Sequence, residues 1–133
     1  MTAQPKKPVT YRPRLVLAYA DSAHAVLCCR QLRRLGWEVH LTASGAEARR
    51  LAQAMTPAVV VLDAALPDES GWLTCAKLLQ DRPGQRVVLV TDEVTTEGER
   101  FAGHVGAAIL VRRSAGAAAL VDQVHGGALS TAG

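Results

Sequence analysis

Five short apolar runs recur along this chain, each followed by a segment of helical period, and that alternation narrows the fold more than any other feature. RLVLAYA (14–20), WEVHLTA (37–43), AVVVLD (58–63), RVVLVTD (86–92) and AAILVR (107–112) read as strands. Several are too continuously apolar to have a wet face, and strands buried on both sides imply a parallel sheet covered by helices. Between them, AHAVLCCRQLRRLG places Ala25, Cys28, Cys29, Leu32 and Leu35 on one helical stripe and ends at Gly36, a natural C-cap. SGAEARRLAQAM opens with Ser44 and Glu47 at capping-box spacing and turns Ala48, Leu51, Ala52 and Met55 inward. Residues 71–80 and 93–104 supply two more helices. A last one follows Ser114 as N-cap and aligns Ala117, Leu120, Val121, Val124 and Ala128.

Five successive strand-helix units with short connections and no internal repeat predict an α/β fold, a flavodoxin-like doubly wound (βα)5 sandwich with right-handed crossovers. The common order for such a parallel five-stranded sheet is 2-1-3-4-5, with the binding crevice at the carboxyl ends of the first and third strands, where the winding reverses. Tyr19, Ala20 and Asp21 wait after the first strand, Asp63 after the third, Thr91 and Asp92 after the fourth, Arg112 and Arg113 after the fifth. Polar residues end strands everywhere, which explains any one of these positions. It explains less well a carboxylate, a hydroxyl and a cation converging on the one edge where this architecture binds things.

Bulk properties restrict what that edge can serve. A length of 133 residues suits one domain with a real core. The formal charge of +3 hints at nucleic acid until its location is checked: Lys6, Lys7, Arg12 and Arg14 supply four of the 15 basic residues, leaving 11 against 12 acidic ones. The body is therefore nearly neutral, and no direct nucleic-acid binding is expected. With prolines at 5, 8 and 13, the first residues read as a flexible basic arm. No apolar run approaches the roughly 20 residues that span a bilayer, and MTAQPKKPVTYRPR lacks the apolar stretch of a signal peptide; a cytoplasmic location with no membrane partner is expected. Cys28, Cys29 and Cys75 have no metal-ligand spacing and suit buried free thiols. No GxGxxG or GxxxxGK loop follows any strand, which argues against a nucleotide-binding enzyme.

From about Arg14 to Gly127 the sequence resembles the receiver domains of two-component response regulators. Asp63, Pro67 and Gly71 match the family's phosphoacceptor aspartate at the end of the third strand, the proline four residues later and the glycine eight later. Thr91 matches the family's Thr or Ser at the end of the fourth strand, and GAAILVRR the region of its Gly-Ala, apolar strand and Lys-Pro. The resemblance implies residues 1–13 as the arm, 14–128 as a receiver domain and 129–133 as a tail or linker. It also implies that Asp63 attacks phosphorus as a carboxylate nucleophile and forms an acyl phosphate. Negative charge on the phosphoryl oxygens then needs a divalent cation and hydrogen-bonding or positive groups around it. In the family Mg²⁺ is held by an acidic pair after the first strand, the phosphoacceptor, and a backbone carbonyl two residues beyond, here Ala65.

The sequence departs from that pattern at several places. Counting back from Gly36 without a gap puts Tyr19 and Ala20 where the acidic pair stands, with Asp21 one residue later. The family's lysine becomes Arg113, followed by Ser114 instead of proline, and its switching aromatic becomes Leu110. Each missing carboxylate removes several kcal/mol of attraction for a divalent ion at an effective dielectric of about 20. The expectation is an atypical receiver: no enzyme beyond self-catalysed phosphotransfer onto Asp63, impaired or absent Mg²⁺-dependent phosphorylation, and a weak metal site of Asp21, Asp63 and Ala65. Its partners would be a histidine kinase or another signalling protein, with a homodimer through the face of the fourth helix, fifth strand and fifth helix. The alternative is a working phosphoacceptor, phosphorylated on Asp63 by a histidine kinase with Asp21, Thr91 and Arg113 assisting.

Overall fold

In the computed structural model, which describes residues 12–92, 95–105 and 108–131, strands and helices alternate as the apolar runs predict. They are β1 (Arg14–Ala18), α1 (Ser22–Arg34), β2 (Glu38–Thr42), α2 (Gly45–Met55), β3 (Val59–Asp63), α3 (Gly71–Asp81), β4 (Arg86–Thr91), α4 (Thr96–Val105), β5 (Ala108–Arg112) and α5 (Gly116–Thr131). All strand pairs are parallel and the order is β2-β1-β3-β4-β5, the doubly wound arrangement expected. Residues 1–11 of the basic arm and 132–133 of the tail lie outside the described residues. Among the described residues, no helix is long and apolar enough to cross a membrane.

Alternation along each strand sends side chains to two cores, one on either face. Leu15, Leu17, Val59, Val61, Val88 and Val90 pack with Cys28, Cys29 and Leu32 of α1 and Leu120 and Val124 of α5. Val16, Val60, Leu62, Val87 and Leu89 pack with Ala48 and Ala52 of α2 and Cys75, Leu78 and Leu79 of α3. The continuous apolar runs are thus buried from both sides, and β3 is buried along its whole length.

Four local expectations need correction. Leu35 is not in the core: it caps α1 and is 46% exposed, while Gly36 turns the chain at φ +97° and Trp37 takes the inward place instead. The indole Nε1 of Trp37 donates to Nδ1 of His125 at 3.1 Å, tying α5 to the approach to β2. Ser114 does not cap α5; it lies in a 3-10 turn over Arg113–Ala115, and the helix starts at Gly116. The capping box at α2 is half formed: Ser44 Oγ accepts from the Glu47 N–H, but the Glu47 carboxylate pairs with Arg50. Leu51 and Met55 are half-buried rather than fully inward.

Candidate functional site

The tips of β1, β3, β4 and β5 meet around Asp63. The VVVL run anchors this residue from below, in register with Val90 of β4, and the ladder continues one residue further as Ala64 N–H donates to Val90 O at 2.8 Å. Gly71 N–H then donates to Ala64 O at 2.9 Å and closes the loop before α3. A Cβ at position 71 would lie 2.2 Å from the Asp63 carbonyl oxygen. Only glycine lets α3 begin against the backbone of the strand tip, which is the physical reason for its spacing from Asp63.

The Asp63 side chain is 1% exposed, and every direction around its carboxylate is used. Oδ2 accepts from Ala20 N–H and from Arg113 Nη1, both at 3.1 Å. Oδ1 accepts from Ala65 N–H at 3.0 Å and from Arg113 Nη2. The third guanidinium nitrogen, Nε, donates to Asp92 Oδ1 at 2.7 Å. The guanidinium carbon stands 5.6 Å from the centroid of the Tyr19 ring, within cation-π range. Burial alone would push the Asp63 carboxyl up; the Arg113 hydrogen bonds, then the Ala65 and Ala20 N–H groups, outweigh it and hold it below its ordinary value. Hydrogen bonding to Asp63 raises Arg113 in turn, and burial raises the Tyr19 hydroxyl, which is buried without a protein partner.

The remaining expected site residues are arranged differently. Asp21 is the N-cap of α1, its Oδ1 accepting from Ala23 and His24 N–H at 3.0 and 3.2 Å. That carboxylate serves the helix end rather than the Asp63 cluster. Ala65 presents its N–H to Asp63. Thr91, the last residue of β4, is buried and in register with Arg112 of β5. Among the described residues, no three His, Cys, Asp or Glu side chains are grouped to hold a metal ion. Mg²⁺ requires several oxygen ligands in near-octahedral array. Here the central carboxylate already carries a guanidinium on both oxygens, Asp21 caps a helix and Asp92 pairs with that same guanidinium, so the residues as arranged do not fit that ion.

Asp92, which the sequence places at the tip of β4, joins the cluster through Arg113. One residue of the site region escaped the sequence. Asp68, which reads as an ordinary turn residue, accepts from Ser44 Oγ, Gly45 N–H and Ala46 N–H at 2.9, 2.8 and 3.0 Å. It pins the loop after β3 to the start of α2. Its partners lie more than twenty residues upstream, so no local signal announces it.

With the aspartate seated at the tip of β3 in a 2-1-3-4-5 sheet, comparison with known proteins becomes specific. Residues 19–125 match the family model described as the response regulator receiver domain. The chain belongs to that family. It is 40% identical over 72 residues to the probable transcriptional regulatory protein TcrX of Mycobacterium tuberculosis, a match covering 54% of this chain and 30% of that protein. The chain thus spans under a third of that relative's length. Among solved structures it is similar to a CheY-like response regulator receiver domain protein from Methanospirillum hungatei JF-1, with a TM-score of 0.79, 22% identity, and 86% and 92% of the two chains covered. A LuxR-family two-component response regulator from Aurantimonas sp. SI85-9A1 follows with a TM-score of 0.76, 26% identity, and 87% and 84% covered. The protein is a receiver domain of two-component signalling, in a family of signalling modules that interact with histidine kinases and other signalling proteins and bind Mg²⁺ in an acidic pocket.

Proposed function

We propose that this receiver signals through protein-protein contacts, with Mg²⁺-dependent phosphorylation of Asp63 impaired or absent. The supporting observation is the Arg113 fork on Asp63. A carboxylate nucleophile must aim a lone pair at phosphorus, and each oxygen of Asp63 already accepts two hydrogen bonds, one of them from the guanidinium. Breaking a bidentate, largely buried charge pair opposes the first step of phosphotransfer. The diversion of Asp21 to a helix cap, and Tyr19 and Ala20 beside the site, support the same reading. The partners in this reading are a histidine kinase or another cytoplasmic signalling protein, met through the face of α4, β5 and α5, which also serves for a homodimer.

A second reading, a working phosphoacceptor, is favoured by one observation: Asp63, Thr91 and Arg113 still sit on neighbouring strand tips. Incubation with acetyl phosphate and Mg²⁺, followed by intact mass, separates the two. The first reading expects no phosphoryl adduct. A stoichiometric, Mg²⁺-dependent adduct that disappears in Asp63→Asn overturns it and establishes the second.

A further inference from the structure

Arg113 has three guanidinium nitrogens and all are engaged, Nη1 and Nη2 on Asp63 and Nε on Asp92. Asp92 follows the last residue of β4, and its side chain is 78% exposed. An exposed ion pair ordinarily contributes little, because two side chains must be ordered to make it. Here most of that ordering is already done: Arg113 is fixed by Asp63 and lies against the Tyr19 ring, and an aspartate has a short side chain. The Nε bond in turn restricts rotation about the end of the arginine, so that both Nη groups face β3. A lysine in its place would bring one nitrogen, a point charge that cannot serve two carboxylates in one fixed plane.

We propose that Asp92 is a positioning residue that holds Arg113 in the orientation where its fork closes on Asp63, so that one side chain clasps the tips of β3 and β4 to the end of β5. The arginine at 113 and the aspartate at 92 are then one device, each giving the other its reason. The inference rests on the reading that Arg113, rather than a metal, is the counter-charge of Asp63.

The test is nuclear magnetic resonance of the arginine side chains in the full chain. In the unmodified protein, Arg113 shows separate Nη signals and a slowly exchanging Nε–H. In Asp92→Asn the Nε–H exchanges faster by roughly tenfold or more, the scale of one hydrogen bond to a charged group. The Nη signals merge, and the amides of Ala20 and Ala65, which share Asp63 with the guanidinium, shift. Asp92→Glu restores all three, and Asp122→Asn, an equal charge change at an exposed site on α5, moves none. Asp92 lies outside the sheet ladder, so the variant keeps the fold and these local signals report the clasp alone. The proposal is overturned if Asp92→Asn leaves the Nη signals separate and the two amides unmoved. The acetyl phosphate experiment fails independently: an adduct on the unmodified chain sinks the reading of Asp63, whereas insensitive Arg113 signals sink the role of Asp92.

Discussion

Asp63 ends β3 and Asp68 lies in the loop that follows, both held below the ordinary carboxylate range, yet by opposite means. Asp63 is buried, and a full guanidinium charge with two backbone N–H groups is needed to keep it ionised there. Asp68 lies in water, and the open end of α2 suffices: the N–H groups of Ala46 and Gly45 are the main cause of its lowering. The contrast teaches where the molecule is brittle. A buried charge depends on one irreplaceable partner, whereas an exposed one leans on several weak ones and on solvent.

The largest test of that contrast is Arg113→Ala, which leaves Asp63 buried and uncompensated. It should lower stability by about 3 kcal/mol, near the lower end for a broken buried pair because the arginine is itself a quarter exposed. Adding Asp63→Asn should recover much of the loss in a double-mutant cycle read by chemical denaturation; simple additivity would contradict the pairing. Gly71→Ala comes next, at roughly 2–3 kcal/mol, because the new Cβ meets backbone that cannot rotate aside. Asp68→Ala should cost about 1 kcal/mol or less, the range of a lost helix cap in water. His125→Ala, which removes the acceptor of the Trp37 indole, should also cost about 1 kcal/mol and shift the emission of Trp37.

Acid sharpens the same comparison. Both carboxyls are lowered by folding, so each contributes stability that is complete above the ordinary carboxylate range and is lost as pH falls from that range down through the lowered folded value. Thermal melts at decreasing pH should therefore show stability falling below about pH 4. Asp68→Asn should flatten the curve, and the doubly substituted Asp63→Asn, Arg113→Ala chain should flatten it as well.

The sheet and the seat of Asp63 were legible because their cause is local. An unbroken apolar run specifies a strand buried on both faces, and the residue that ends it necessarily lands at the tip. Leu35 was misplaced because both sides of Gly36 are apolar, and only the turn angle there says that Trp37 rather than Leu35 points inward. Ser114 has the right chemistry for a cap, but one 3-10 turn moves the helix start beyond it. The two uses of Asp21 compete in the sequence: an acid beside a strand tip suggests a ligand, while an aspartate just before SAHAV suggests an N-cap, and the helix took it. Asp68 was invisible as a site residue, and the pairing of Asp92 with Arg113 could not be read from its place at the strand tip, because each is defined by a partner twenty or more residues away.

The buried cysteines have a practical consequence. Burial raises the Cys28 and Cys75 thiols to about 11, so at neutral pH only about one in ten thousand of each is thiolate, the reactive form. Cys28 is on the inward face of α1 and Cys75 on that of α3, on opposite sides of the sheet. An alkylating reagent would therefore act as a pair of stopwatches, each started only when its own layer of helices lifts.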